Sequence, residues 1–286
     1  MPLLSKMQRM RSVKEMKQRA SEWRQERLTI ALVPTMGALH QGHLALIKLS
    51  QSYADKVVVS VFINPLQFGP NEGFDAYPRS LGQDEALCME YGVDALFIPE
   101  VEDLYPKGFS TYVIEEGISQ GLCGVSRPQY FKGVSTVAVI LMNIIQPKYL
   151  VLGQKGAQRV AVIQKMVHDL HMPVDILVSP VVREESGLLM SSRSARLQEH
   201  QRRDGIKLYQ ALLKGKRLID EGVSSSDRVM AEVTHHLAGS PYIRVIHVSL
   251  VHRDTFEVMR TVQPGKGILA VAAWLDRERW VDNILV

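Results

Sequence analysis

Two histidines three residues apart are the most distinctive chemical feature of this sequence. His40 and His43 lie in PTMGALHQGH, residues 34–43, which follows a predicted strand and opens a predicted helix. This spacing puts both imidazoles on one face of the first helical turn. Helix N-terminal amides attract phosphate, and imidazole N–H groups can donate hydrogen bonds to phosphate oxygens. The segment therefore predicts a phosphate-binding turn, in which Gly37 lets a ligand approach the backbone closely.

Three further segments place polar side chains beyond the ends of predicted strands. Asn64 and Gln67 follow the second strand, where an α/β sheet places its ligand loops. Lys155 follows a later strand beside Gly153. The segment 182–193 ends in Ser191, Ser192 and Arg193, two hydroxyls and a guanidinium that can bracket a triphosphate. Each segment alone is also typical of an ordinary loop, so the phosphate-site interpretation depends on their combination.

The elements that must position these residues alternate between strand and helix over the first two thirds of the chain. We predict strands at 28–34, 55–64, 94–99, 149–152 and 174–178, and helices at 10–27, 41–54, 80–91, 134–146 and 157–171. The strands are uniformly apolar, which is typical of a parallel sheet covered on both faces. The predicted fold class is therefore α/β, with a Rossmann-like parallel sheet.

The pattern changes after about residue 185. The predicted elements there are two long helices and then three strands with no helix between them, at 198–222, 225–238, 243–252, 255–260 and 267–275. Strands that follow one another directly suggest an antiparallel sheet, and hence a smaller α+β domain. We predict a larger domain over residues 1–186 and a smaller one over 187–286.

Composition excludes several classes of protein. Of the 286 residues, 46% are hydrophobic and 22% are charged, as in ordinary globular proteins. The net charge of +4 arises in the first 30 residues, and no basic motif interleaved with aromatic residues indicates a nucleic-acid partner. No stretch approaches the ~20 apolar residues that span a bilayer. Cys88 and Cys123 are too few for a disulfide framework. We predict a soluble cytoplasmic protein.

The ordered motifs resemble those of the pantothenate synthetase (pantoate–β-alanine ligase) family, which carries the HIGH motif of the nucleotidyltransferase superfamily. The matching segments are PTMGALHxGH, FxNPxQFGPxExFxxYPR, RPxxFxGVxTV and VREExGLxMSSR. The resemblance implies ATP-dependent condensation of (R)-pantoate with β-alanine through a pantoyl adenylate, releasing pyrophosphate and AMP. It also implies a homodimer and Mg²⁺ bound with ATP, for which Asp84 is a candidate carboxylate ligand.

The resemblance assigns roles to the residues that match the motifs. His43 is the catalytic histidine, and His40 and Lys155 support the phosphates. Gln67 contacts both pantoate and β-alanine, and Asn64 belongs to the same lining. The implied ATP-binding residues are Met36, Gly37, Ala38, Leu39, His40, Gln41, Gly42, His43, Gly153, Gln154, Lys155, Gly156, Val182, Met190, Ser191, Ser192 and Arg193.

Several positions depart from the family pattern. The family shows Gly-Glu-Lys-Asp, an aromatic residue and Gln-Gln, where this chain has GQKGAQR at 153–159. Gly156 replaces an aspartate that contacts the nucleotide, and Arg159 replaces a glutamine that holds pantoate. Arg159 can in principle bind the acid's carboxylate bidentately. Tyr130 and Ser194 replace a histidine and an asparagine. Two alternatives stay open: an adenylating ligase for another small hydroxy acid, or a catalytically weakened family member with a binding role.

Overall fold

The computed structural model describes residues 7–69 and 72–286, which form two compact units. The first unit holds the described residues up to Glu115, with Arg127–Gln154 and Val162–Pro180, and the second holds Glu116–Ser126, Lys155–Ala161 and Val181–Val286. The sequence places one boundary between residues 186 and 187. In the structure, the second unit also takes in two earlier segments, and one of these contains Lys155.

The described elements keep the strand–helix alternation of the sequence. The strands are β1 (Gln8–Met10), β2 (Ile30–Thr35), β3 (Lys56–Val61), β4 (Ala95–Phe97), β5 (Tyr149–Gly153), β6 (Asp175–Ser179), β7 (Ile243–His252), β8 (Gly267–Leu275) and β9 (Glu278–Leu285). The helices are α1 (Val13–Gln25), α2 (Gln41–Gln51), α3 (Leu81–Glu90), α4 (Val101–Leu104), α5 (Cys123–Ser126), α6 (Tyr130–Ile145), α7 (Ala157–Asp169), α8 (Glu199–Asp220) and α9 (Ser226–Ala238).

Within the described residues, the first unit is built on a six-stranded parallel sheet in the order β1-β4-β3-β2-β5-β6. β2 is buried along most of its length, as its apolar run predicts. β3 pairs with one edge of β2 and β5 with the other. This reversal of strand order opens a crevice at the carboxyl ends of β2 and β5, where α/β sheets bind ligands. The predicted Rossmann-like sheet is confirmed.

The second unit, as far as the structure describes it, contains a three-stranded antiparallel sheet in the order β7-β8-β9. α8 and α9 bury apolar side chains against this sheet, in a core that includes Leu212, Val233 and Leu269. The predicted α+β class of the second domain is confirmed.

The predicted strand at 255–260 is wrong, because that segment makes only an isolated bridge between Val251 and Val258. The third strand is β9 instead. In β9 the charged residues Glu278, Arg279 and Asp282 interrupt the apolar run that would have marked a strand.

Smaller differences between prediction and structure concern the ends of elements and one short strand. β1 pairs in parallel with β4 over three residues, which is too short for a periodic sequence signal. α6 begins at Tyr130, four residues before the predicted start.

Among the residues that the structure describes, no helix is both long and apolar enough to cross a bilayer.

Candidate active site

The turn between β2 and α2 is held by a buried carboxylate. Asp84, on α3 and 1% exposed, accepts the backbone N–H of Ala38 at 2.9 Å and that of Leu39 at 2.7 Å. Gly37 and Ala38 both have left-handed backbone, with φ of 77° and 50°. Consecutive N–H groups in such a turn form a concavity that suits an anion. A Cβ on Gly37 would lie 3.0 Å from an Asp84 oxygen, so the turn needs glycine there.

These bonds bear on two expectations from the sequence. Ala38 and Leu39, expected to face ATP, donate their backbone N–H groups to Asp84 instead. Asp84, the candidate carboxylate for Mg²⁺, uses both of its oxygens in those bonds. Across the described parts of the chain, no three His, Cys, Asp or Glu side chains are grouped so that they could hold a metal ion. The contacts of Asp84 are those of an internal anchor for the turn.

His40 and His43 cap the N-terminus of α2 reciprocally. His40 Nδ1 accepts the N–H of Gly42 at 3.0 Å, and His43 Nδ1 accepts the N–H of His40 at 3.2 Å. The two ring centroids are 4.1 Å apart. A ring nitrogen that accepts a hydrogen bond carries no proton, so each neutral imidazole keeps its proton on Nε2. The capping bonds therefore fix both the ring orientations and the nitrogen that can donate.

Gln67 lies in a single 3₁₀ turn, Pro65–Gln67, that follows β3. Gln67 is 8% exposed, and its side-chain amide makes no hydrogen bond to any residue that the structure describes. A nearly buried amide without a protein partner suits a ligand that brings its own polar groups. Gln67 therefore has the surroundings expected of a substrate-binding residue.

Asn64 caps that turn, and its side chain is used inside the protein. Its Oδ1 accepts the N–H of Leu66 at 3.1 Å and the hydroxyl of Tyr105 at 3.0 Å. Its Nδ2 donates to the carbonyl of Gly133 at 3.0 Å, and Asn64 is 1% exposed. The sequence places Asn64 in the substrate lining, whereas these contacts make it a residue that positions the turn carrying Gln67.

Lys155 lies half-buried in the second unit, near other cations. Its Nζ donates to the carbonyl of Met190 at 3.1 Å and lies 5.8 Å from the centre of the Trp280 ring. Burial, with smaller contributions from the Arg193 and Arg159 charges, lowers the pKa of Lys155 to about 7, although Asp282 opposes the shift. A phosphate group placed at Nζ would restore the proton, because an anion favours the charged ammonium.

An ion pair supports the segment that leads into the serine–arginine loop. Arg183 donates two hydrogen bonds of 2.7 Å to Asp282 on β9 and bridges back to Leu189. The N–H of Met190 donates to the carbonyl of Val182 at 3.1 Å. Val182, predicted as an ATP contact, thus also forms the base of the loop.

The loop itself closes through hydroxyl groups. Ser191 Oγ accepts the N–H of Arg193 at 3.2 Å, and Ser194 Oγ accepts the N–H of Ser191 at 3.1 Å. Ser194, one of the departures from the family pattern, is therefore the residue that closes the turn. The Arg193 guanidinium lies 3.5 Å from Glu278, a contact that leaves it 33% exposed.

Arg159, another departure, lies beside Gly156 in the second unit. Its Nε is buried without a hydrogen-bond partner, and no carboxylate in the described residues pairs with it. The neighbouring Gln158 is fully occupied: it donates to the carbonyls of Ile118 and Gly121 at 2.9 and 2.7 Å and accepts the N–H of Cys123 at 3.0 Å. Of these two side chains, only Arg159 remains available to a ligand.

Sequence reasoning missed several supporting residues. For Asp84, which the resemblance offers only as a candidate metal ligand, the missed role is the anchoring of a turn more than forty positions earlier in the chain, a contact that no local pattern could indicate. Asp282 has only a weak signal, because it is one of several polar and charged residues in the sequence of β9. Asn283 donates to the carbonyl of Lys155 at 3.1 Å, which is again a contact between distant parts of the chain.

A parallel α/β sheet with paired imidazole donors at a helix N-terminus is typical of enzymes that act on nucleotide phosphates. The chain matches the family model described as pantoate-beta-alanine ligase over residues 8–285. The chain therefore belongs to the pantoate–β-alanine ligase family.

Named relatives agree with this assignment. The pantothenate synthetase of Caldicellulosiruptor bescii is 43% identical over 277 residues, which is 96% of this chain and 97% of the relative. The crystal structure of pantothenate synthetase from Thermus thermophilus has a TM-score of 0.92 at 38% identity, and covers 98% of this chain and 99% of its own. The Francisella tularensis ligase, complexed with β-γ ATP and β-alanine, has a TM-score of 0.81 at 29% identity, over 98% of this chain and 97% of its own.

Proposed function

We propose that this protein condenses (R)-pantoate with β-alanine at the expense of ATP, forming pantothenate, AMP and pyrophosphate. The observation that carries the proposal is the reciprocal cap of His40 and His43 at the carboxyl end of β2, in a chain that matches the ligase family from residue 8 to 285. The Francisella tularensis ligase, which was solved with an ATP analogue and β-alanine, supports the same pair of ligands.

In the first step, a carboxylate oxygen of pantoate attacks the α-phosphorus of ATP, and the bond from that phosphorus to the β-phosphate oxygen breaks. The products are pantoyl adenylate and pyrophosphate. Negative charge grows on the phosphate oxygens, and the Nε2–H groups of His40 and His43 are oriented donors for it. Preorganised donors of this kind are worth more than mobile ones, because they need no reorganisation during the reaction.

In the second step, the amine of β-alanine attacks the acyl carbon, the bond to the AMP oxygen breaks, and the amine loses a proton. We assign Gln67 to orient the two small substrates through its side-chain amide. We assign Lys155, Ser191, Ser192 and Arg193 in the second unit to the ATP phosphates, since their hydroxyl, ammonium and guanidinium groups are suited to phosphate oxygens.

Further parts of the proposal are the metal, the location and the assembly. Mg²⁺ enters as part of MgATP, held mainly by phosphate oxygens and water, because both Asp84 oxygens are occupied by backbone N–H groups. Cys88 and Cys123 are free, as is usual in a reducing cytoplasm. The homodimer and the closure of a C-terminal lid over residues 187–286 are proposed from the family resemblance.

A second candidate function is adenylation of another small hydroxy acid. The observation that favours it is Arg159, whose Nε is buried without a hydrogen-bond partner among the described residues, at a position where the family carries glutamine. A guanidinium binds a carboxylate more strongly than an amide does, and so changes which acids are held and how reactive they are.

Pyrophosphate release by the purified protein with MgATP tests the proposal. With pantoate alone we expect about one equivalent of pyrophosphate per protein, and with β-alanine added we expect continuous turnover and equimolar AMP and pantothenate. Release with a different hydroxy acid but not with pantoate would support the second candidate. No release with any small acid would contradict both functions and favour a binding role.

A further inference from the structure

The turn that carries Gln67 is held by Arg127, which lies just before α6. One guanidinium nitrogen, Nη2, donates to the carbonyl of Gln67 at 2.7 Å and to the carboxylate of Glu72 at 2.5 Å. The same guanidinium lies over the ring of Tyr130, 3.8 Å from its centre. Tyr130 is brought there by a local turn, in which its N–H donates to the carbonyl of Arg127 at 3.0 Å. The hydrogen bonds thus hold the guanidinium within its plane, and the Tyr130 ring holds it from one face.

This ion pair is largely removed from water. The Arg127 and Glu72 side chains are 17% and 18% exposed. Glu72 also accepts the N–H of Gly69 at 3.2 Å, so its carboxylate is held from two sides. A charge pair shielded in this way is screened less by solvent and salt than a surface pair, and it holds its geometry more firmly.

The helix α6 also packs directly against the same turn. A Cβ on Gly133 would lie 2.6 Å from the carbonyl oxygen of Leu66, so the helix approaches the turn as closely as glycine allows. Asn64 joins the two by donating to the carbonyl of Gly133 at 3.0 Å. The turn is therefore held by a clamp of two parts, the Arg127 guanidinium and the α6 backbone, which together restrict movement of Gln67.

We propose that Arg127 and Tyr130 are positioning residues that set the place of Gln67, and so the affinity for the acid and amine substrates. This inference rests on the proposed function, in which Gln67 contacts both. Arg127 acts through the Gln67 carbonyl. Tyr130 acts through Arg127, by giving the guanidinium an aromatic face larger than that of the histidine found elsewhere in the family. The departure at position 130 is then a change in the support of Gln67, with no ligand contact needed to explain it.

Steady-state kinetics of the full chain test the clamp. Tyr130→Leu removes the aromatic face, Arg127→Lys removes the planar guanidinium, and Tyr130→Phe keeps the stack as the conservative rescue. We expect the first two variants to raise the KM for pantoate and for β-alanine by roughly threefold to thirtyfold. The KM for ATP should stay within about twofold, and Tyr130→Phe should behave as the unaltered protein. Tyr53→Leu, at a tyrosine 51% exposed in the same unit, is the matched control.

A second measurement reads the clamp without turnover. We expect amide hydrogen exchange across residues 62–69 to be faster in Tyr130→Leu than in Tyr53→Leu, because the Gln67 carbonyl loses a fixed donor. Unchanged exchange together with unchanged KM values for pantoate and β-alanine would overturn the inference. An equal rise in all three KM values with a lower melting temperature would also overturn it, as a general loss of stability. Failure of the unaltered protein to make pantothenate would contradict the proposed function, while the exchange comparison would still decide the clamp.

Discussion

The guanidinium of Arg159 lies against the α-carbon of Gly156, so that a Cβ at position 156 would be 3.1 Å from both Nε and Nη2. Two departures from the family pattern are therefore in direct contact. Any side chain at 156 would have to displace the guanidinium or pair with it, because the space that it would fill is taken. The glycine and the arginine thus form one structural change in the second unit.

A double-mutant cycle tests whether these two positions act as a unit. Gly156→Asp alone should pull Arg159 away from an incoming anion, and Arg159→Gln alone should remove the cation, so each should lower kcat/KM. The double variant restores the pair usual in the family, and we expect it to be more active than the single effects predict. The coupling should be about 1–2 kcal/mol, roughly five- to thirtyfold. The measurement is kcat/KM for pantoate in all four proteins.

The control for this cycle is Gly121→Asp, because a Cβ on Gly121 would meet nothing within 4 Å. Gly121→Asp should show no coupling to Arg159→Gln. Strictly additive effects of Gly156→Asp and Arg159→Gln would mean that the contact has no functional consequence.

If Lys155 binds an ATP phosphate as proposed, ATP binding should depend on pH. Burial and the charges of Arg193 and Arg159 lower its pKa to about 7, so that the free protein loses this ammonium as the pH rises through neutrality. ATP favours the protonated form, so binding should be tightest below that pKa and weaken above it, with uptake of a proton. At about pH 8 we expect roughly nine-tenths of a proton to be taken up per MgATP bound. Calorimetry in buffers of different ionisation enthalpy measures this uptake.

Arg159→Gln removes one of the charges that lower the Lys155 pKa, so proton uptake at the same pH should decrease. Arg217→Gln, at an exposed arginine paired with Glu221, should leave the uptake as it is. A binding enthalpy that is the same in every buffer would show that Lys155 does not gain a proton when ATP binds.

A structural feature can be predicted from this sequence when the residues that determine it are close together in the chain. The apolar runs of β2 and β3 and the three-residue spacing of His40 and His43 are local, so the sheet and the paired rings follow from the pattern alone. Which group accepts the N–H of Leu39 is decided by the packing of α3, so the sequence alone presents Asp84 only as a candidate metal ligand.

The same reasoning applies to the wrongly predicted strand in the second unit and to the turn that carries Gln67. β9 holds its place by pairing with β8, although its charged residues weaken its own strand signal. Asn64 was placed in the ligand lining because its position after a strand is all that the sequence displays. Its hydrogen bonds to Tyr105 and Gly133 join parts of the chain that only the fold brings together.

The variant Asp84→Asn tests whether Asp84 supports the turn before His40 or binds a metal ion. An amide can accept only one of the two N–H bonds from Ala38 and Leu39, and its NH₂ group faces the other donor. We expect the free energy of unfolding to fall by about 1–3 kcal/mol and the KM for ATP to rise, because the turn before His40 loses its support. Thermal unfolding and initial rates at varied ATP measure the two effects.

The control is Glu85→Gln on the same helix. Glu85 pairs with Arg9, 2.6 Å from its guanidinium, and makes no contact with the turn that is among those described for Asp84. Glu85→Gln should leave the KM for ATP unchanged. If added Mg²⁺ restored full activity to Asp84→Asn, the carboxylate would have to be a metal ligand, and its role as an anchor would be refuted.

His43 has two tasks that different substitutions can separate. Its Nδ1 accepts the N–H of His40 and so caps α2, while its Nε2–H is the donor assigned to the ATP phosphates. His43→Ala removes both, and adenylation should fall by ~10²–10³. His43→Asn keeps an acceptor near the Nδ1 position, so its melting temperature should match the unaltered protein although its rate falls as far as that of the alanine variant.

His43→Gln reaches further and carries an N–H near the Nε2 position, so it should recover part of the rate while losing the cap. Pyrophosphate release with pantoate and thermal unfolding measure both properties. A fully active His43→Asn would show that the cap alone matters, since that variant has no donor at Nε2.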